Sequence, residues 1–461
     1  ANKLPLRGFC CIMLAMLKKV LLLAAAAACT FAAFAGCSNS ENETNDNTVL
    51  GMRYYKSWLA FNTTAEFALY APFTEQAEKD KAIATYEQAA SLLNELESVL
   101  SVSVEGSDIY NFNMAAPGAT VEISQHTYNV LKTALDMYEE TEGAYNAGVY
   151  YSVDLWGFAP ALPGDEAMPY DREHPNEQLP EDKYIEAFQK LGTHFPEIQL
   201  TDNGDGTYSV TKPEATVTVD GDENIYSLRI DLGGIGKGYA VELVDELIDE
   251  AGFENSYFSF GTSSMAINGS ATSEDGKWEL QIRDPRGQGL NDWYLSMRVA
   301  NASLSTSGDY EQYYIIDGER YCHIIDPATG APINRGIITA TCIGGNAAEA
   351  DARTTAICAM DLDTAIAYIN SDEVKEQGLK LGFVYENKFG WKTFYTNMNE
   401  GDYILKLDNE LPSWAYILII IGAICIGCGI WCIVKHIKKS KSKQAEQVIE
   451  QSGSKVEVEE N

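Results

Sequence analysis

The spacing of apolar and polar positions changes period several times along the chain. Residues 54–72, YYKSWLAFNTTAEFALYAP, alternate every second position, which predicts strand. From 77 to 100 the apolar positions take a helical period and close on LLNELESVL. A second helical stretch, 124–142, opens on Ser124, a residue type that caps helix N-termini. The Pro-rich, acidic stretch 160–190 predicts surface loop. TDNGDGTYSV, at 201–210, predicts a hairpin turning at Asp205 and Gly206, because it lacks the ligand spacing and closing Glu of a calcium loop. SLRIDL, GGIGKG and YAVELVDELIDEAG then predict strand, loop and helix. Further strands are predicted near 256–268, 277–283, 295–300 and 311–316, and TATCIGGNAAEADARTTAICAMDL predicts strand, turn and helix. Strands and helices interspersed with hairpins predict an α+β fold rather than a doubly wound parallel sheet.

The two ends follow a different pattern. From Met16 the chain reads MLKKVLLLAAAAACTFAAFAGCSNS, with two lysines before an apolar run and small residues before Cys37. This predicts a signal peptide over 1–36, with Met16 as a candidate start, and Cys37 as a lipidation site; 37–50 would be a polar tether. The uncharged segment Ser413–Val434 exceeds the ~20 residues that span a bilayer as a helix. Lysines 435, 438, 439, 441 and 443 follow it, so the tail 435–461 is expected in the cytoplasm and the body, 51–405, on the outer face of a cell membrane.

Composition narrows the partners. A formal net charge of −34 over 461 residues argues against attraction to nucleic acid. Of ten cysteines, only Cys322, Cys342 and Cys358 lie in the body, and none there has zinc-knuckle spacing.

Candidate chemistry begins with DLGGIGKGYA, 231–240. Its glycines miss both the dinucleotide fingerprint and the Walker spacing. What remains is a glycine-rich approach to a helix start with Lys237 as a point charge: either an anion cradle or a bland turn. Asp351 and Thr355, four apart on a helix, share a face and could hold a hard cation, or serve as a cap and a core hydroxyl. His323 in RYCHIIDPATGAPIN is a candidate proton carrier or a structural histidine.

The ordered stretches EGAYNAGVYYSVDLWGF, DLGGIGKGYA, STSGDYEQYY, HIIDPATGAPI and EADARTTA resemble the FAD:protein FMN transferase (ApbE) family over about residues 54–397. The resemblance implies a single α+β domain that takes FAD and Mg²⁺ and transfers FMN to a Thr or Ser hydroxyl of a redox protein, releasing AMP. Some members of the family instead hydrolyse FAD to FMN and AMP, and a non-catalytic FAD-binding lipoprotein is a further alternative. Carried onto this chain, the resemblance implies that Phe61, Ala144, Tyr145, Asn146, Asp231, Lys237 and the backbone near Ile325 contact FAD. It implies the main-chain oxygen of Gly234 with Asp351 and Thr355 around Mg²⁺, and His323 as the group handling the proton. Expected partners are FAD, an acceptor protein and membrane lipid. The chain departs from the family pattern at Phe61-Asn62-Thr63 (usually Met-Gly-Thr), Ser103 (often Tyr), Asn146 (usually Asp) and FGTSS at 260–264.

Overall fold

The computed structural model describes residues 47–48, 51–159, 162–163, 179–261, 263–270, 275–287, 289, 292–388, 390–398 and 403–405, with a few positions between 430 and 437. The alternating stretch near the start forms two strands, β1 (Gly51–Ala60) and β2 (Thr63–Ala71), paired antiparallel. Phe61 and Asn62 turn between them with φ of 53° and 58°, the left-handed conformation that two-residue hairpins favour.

Helix α1 (Gln76–Leu100) opens on a reciprocal capping box of Glu75 and Glu78 and buries Ala82, Ala89, Leu93, Leu96 and Leu100 as one stripe. In α2 (Gln125–Glu140), Ser124 accepts from the Thr127 amide at the N-terminus, as its sequence predicts. Then come α3 (Gly236–Glu250), β3 (Ser256–Phe260), β4 (Ser264–Asn268), β5 (Ala302–Gly308), β6 (Ile337–Ile343), α4 (Ala347–Ala359), β7 (Lys380–Asn387) and β8 (Gly390–Thr396).

Among the described residues the main sheet has nine strands: the short Asn47–Thr48 strand, then β1 to β8 in chain order. Every neighbouring pair is antiparallel. Helices, hairpins and loops are inserted between strands, which is the α+β arrangement the alternation of patterns predicts. One face of the sheet packs on the helices: Phe67, Phe258, Phe260 and Phe383 share a core with Leu93, Val244 and Ile357. The other face, through Ile267, Leu304, Ile338 and Val384, meets a three-stranded side sheet of Trp278–Arg283, Trp293–Val299 and Tyr403–Leu405. Covered on both sides, β6 is buried at every position.

Two expectations need correction. The stretch 160–190 is not all loop: Asp182–Gly192 is a helix that buries Tyr184, Phe188 and Leu191, an amphipathic pattern masked by its acidic surroundings. SLRIDL is not a strand throughout. Ile225–Ser227 pairs with Thr216–Thr218, but Leu228–Leu232 joins no ladder. There the main-chain groups of Ile230 bond to the Asn113 side chain, and the Asp231 amide donates to the Ala147 carbonyl. The predicted hairpin at 201–210 is present, with Gln199–Asp202 paired to Tyr208–Thr211. The signal segment, Cys37 and nearly all of 413–434 lie outside the described residues; among those described, no helix is long and apolar enough to cross a membrane.

Candidate active site

A cleft of about 350 Å³ opens where the β1–β2 turn, the end of α1, the 144–149 stretch, the start of α3, the end of β5 and the face of α4 converge. It is lined by Phe61, Ala144, Tyr145, Asn146, Asp231, Gly234, Lys237, His323, Ile325, Asp351 and Thr355. Residues spread over nearly 300 positions of sequence are thus brought to one site. Its volume lies within the ~300–1,000 Å³ usual for small-molecule sites.

The start of α3 and the face of α4 meet at very close range. Gly238 lies so near α4 that a Cβ there would stand 2.2 Å from the Ala347 carbonyl oxygen and 2.7 Å from Asp351 Cβ. Glycine is therefore required, and the approach lets the Gly238 amide donate to Asp351 Oδ2 at 3.0 Å. One turn further along α4, Thr355 Oγ1 lies 3.2 Å from the Asp351 carbonyl oxygen. A Cβ on Gly234 would come within 3.2 Å of Thr355 Oγ1, so the glycine loop passes directly over this hydroxyl.

Asp351 and Thr355 thus lie close to the Gly234 stretch, and their oxygens are of the kind a hard cation could take. Among the described residues no group of three or more His, Cys, Asp or Glu side chains is placed to hold a metal ion, so a metal here would rely in part on neutral oxygens. The buried Tyr145 hydroxyl has no hydrogen-bond partner among the described residues. Burial, then the Asp351 and Asp231 carboxylates, raise its pKa well above the ordinary phenol value.

Asp231 Oδ1 accepts from the Gly233 amide at 2.6 Å, and burial raises its pKa against the opposing pull of that amide and Lys237. Lys237 folds back over its own loop, donating to the Gly233 carbonyl at 3.0 Å. His323 sits across the cleft. Its ring meets Phe158 edge-on and its Nδ1 lies 3.4 Å from the Gln312 carbonyl oxygen. Burial first, then the positive charge of Lys237, lower its pKa to about 4, so the ring is neutral at physiological pH.

Asn146 uses both ends of its amide on the protein: Oδ1 accepts from the Gly148 amide at 2.7 Å and Nδ2 donates to the Gly192 carbonyl at 3.1 Å. A carboxylate could make only the first bond, which accounts for an amide at this position.

Three supporting residues are not singled out by the sequence, although Ser307 and Asp309 lie within STSGDYEQYY. Glu97, in the last turn of α1, accepts from the Phe61 amide at 3.2 Å and fixes the β1–β2 turn at the cleft. Ser307 Oγ lies 2.9 Å from Thr354 Oγ1 and 3.4 Å from Thr355 Oγ1, tying the end of β5 to α4. Just beyond, Asp309 takes a bidentate pair from Arg286 at 2.6 and 2.8 Å, anchoring the segment that leads to Glu311 and Gln312 on the cleft wall. Only long-range contacts reveal these roles.

Comparison with known proteins identifies the family. The ApbE family profile matches residues 61–378. A relative from Vibrio cholerae, named FAD:protein FMN transferase, is 28% identical over 284 residues, covering 61% of this chain and 75% of its own. The Escherichia coli K12 protein of the same name is 26% identical over 310 residues, covering 67% and 78%. Among solved structures, the flavin transferase ApbE from Vibrio cholerae superposes with a TM-score of 0.58 at 24% identity, over 75% of this chain and 97% of that one. An ApbE protein from Thermotoga maritima gives 0.56 at 26% identity, over 72% and 94%. With more than half its length matched by the family profile, the chain belongs to the ApbE family.

Proposed function

We propose that this protein transfers FMN from FAD to a protein acceptor. The observation that carries the reading is the convergence of the family's separate motifs on one cleft, with Asp351 and Thr355 beneath the Gly234 loop. The same reading takes the acceptor group as a Thr or Ser hydroxyl and AMP as the leaving product. In that reaction the hydroxyl oxygen forms a bond to the FMN phosphorus, the pyrophosphate P–O bond breaks, and the hydroxyl proton must leave. Neutral His323, at the cleft wall, is the group suited to take it. Asp231, Lys237 and the 144–146 stretch hold the two ends of FAD so that attack and departure are in line.

Asp351, Thr355 and the Gly234 carbonyl would hold Mg²⁺, and the unpartnered Tyr145 hydroxyl beside them suits a further oxygen contact. When bound, the ion neutralises charge developing on the phosphates. We further propose that the body stands on the outer face of a cell membrane, held by lipid on Cys37 and by a 413–434 span; the lysines after Val434 support that orientation.

The test is to incubate the full chain with FAD, Mg²⁺ and a candidate acceptor protein. Flavin fluorescence on the acceptor that survives denaturing electrophoresis is expected. FMN and AMP without labelled acceptor would establish a hydrolase instead, and FAD bound without turnover a storage protein.

A further inference from the structure

The floor of the cleft is made by a segment that has no strand beside it. Leu228–Leu232 leads from the Ile225–Ser227 strand to the glycine loop without joining a ladder, and its main-chain groups need partners. The Asn113 side chain supplies them at Ile230. Nδ2 donates to the Ile230 carbonyl at 2.9 Å, and the Ile230 amide donates to Oδ1 at 2.8 Å. A side-chain amide here does the work of one residue of a neighbouring strand. Asn113 is only 2% exposed, so both bonds are sheltered from water.

Asn113 is itself held from beneath. It lies near the end of the short helix Asp108–Met114, and Lys212, 1% exposed, points its ammonium at that end. Nζ donates to the carbonyls of Phe112, Asn113 and Ala115 at 3.1, 3.1 and 3.0 Å. All three ammonium protons are thereby used on carbonyls at the C-terminal end of the helix, the Phe112 carbonyl also accepting from the Ala115 amide. The linkage runs without a gap from Lys212 to the Asn113 main chain, through its side chain to Ile230, and on to Asp231. There the Asp231 amide donates to the Ala147 carbonyl at 2.8 Å, joining the floor to the 144–147 wall.

We propose that Asn113 is a positioning residue for the transfer site: it sets where Asp231 and the Gly233–Gly234 loop stand, and Lys212 holds it in place. Neither side chain lines the part of the cleft assigned to FAD, and both act through Ile230. The inference rests on the transferase reading. It predicts that the two residues govern FAD affinity and not only stability.

The experiment uses the full chain with Asn113→Asp, which keeps the shape and the acceptor for the Ile230 amide but replaces the donor facing the Ile230 carbonyl with an oxygen. Asp361→Ala, which removes a helix cap that does not line the cleft, supplies a variant destabilised for a separate reason. Measured well below the unfolding midpoint, the FAD dissociation constant and KM of Asn113→Asp are expected to rise about tenfold or more. Hydrogen exchange in a peptide covering 228–235 should quicken in the same variant. Asp361→Ala should lower the midpoint and leave both unchanged. Lys212→Met should shift FAD binding in the same direction, and it decides the matter if Asn113→Asp is not recovered folded. FAD binding and KM equal to wild type, or changed no more than in Asp361→Ala, overturn the inference while leaving the transferase reading intact. A wild-type chain that neither binds nor turns over FAD overturns the reading itself, and the inference falls with it.

Discussion

Asp351 has a structural duty and a proposed metal-binding one, and a substitution can separate them. Its Oδ2 accepts from the Gly238 amide, which is structural, and its carboxylate charge is what a cation would need. Asp351→Asn keeps an oxygen for the amide and removes the charge. Metal stabilisation of several kcal/mol, at ~1.4 kcal/mol per tenfold, puts the expected loss of Mg²⁺-dependent turnover at roughly 100-fold or more. Unchanged turnover in a folded Asp351→Asn protein would remove Asp351 from the metal set. His323 gives a pH signature. With a pKa near 4 in the free protein, it remains an available base well below pH 6.5, so the acid limb of kcat/KM should fall near pH 4 to 5. A limb at 6.5 would exclude the buried ring as the proton acceptor. The same depression affects stability. Between about pH 6.5 and 4 the unfolded chain binds a proton that the folded chain refuses, so stability declines as pH falls through that window. His323→Asn should flatten that part of the stability profile, read by denaturant melts at pH 7 and pH 4.5.

At the scale of elements, the contact between α3 and α4 decides whether the site exists. Gly238→Ala would press a methyl against the Ala347 carbonyl, part of the helix backbone that cannot rotate away. Overpacking of this kind costs about 1–3 kcal/mol, and the strain lies under Asp351, so FAD turnover should fall together with the melting temperature. The back of α4 is tied to α2 by Arg353, 1% exposed, whose guanidinium meets Glu140 at 2.9 Å through both Nε and Nη2. Arg353→Met would leave the Glu140 carboxylate without its cation, though still accepting from the Tyr368 hydroxyl, and is expected to destabilise by roughly 3–5 kcal/mol in a denaturant melt, whereas loss of an exposed pair such as Arg298–Asp275 should cost under ~1 kcal/mol. These elements differ in how legible they are. The α1 and α2 helices follow from apolar period and from Ser124 alone. DLGGIGKGYA, His323 and Asp351 draw notice as interruptions of apolar patterns, but the site roles of Asp231, Gly234, Lys237, His323 and Asp351 come from the family resemblance. Leu228–Leu232 reads as strand because its pattern is that of a strand; its hydrogen-bond partner is a side chain 117 positions away in sequence, which no local pattern encodes. The contacts of Glu97, Ser307 and the Arg286–Asp309 pair are hidden for the same reason, even though STSGDYEQYY marks the stretch that holds Ser307 and Asp309.

At the scale of the whole molecule, the proposed topology makes a direct prediction. Protease added to intact cells stripped of their outer layers should digest the body and leave a tag at residue 461 protected; digestion of the tag would reverse the orientation. The body ends in a way that bears on this attachment. Its last described strand, Tyr403–Leu405, is only three residues long and joins the side sheet through the pairs Leu295–Leu405, Ser296–Ile404 and Met297–Tyr403. It does not continue the main sheet, whose last strand, β8, is already complete at Thr396. Any tension transmitted along the chain from beyond Leu405 therefore loads this short strand first. It can peel from the side sheet while the longer ladder of β7 and β8 stays paired, so that under the proposed membrane attachment it would act as a mechanical fuse that yields before the cleft does.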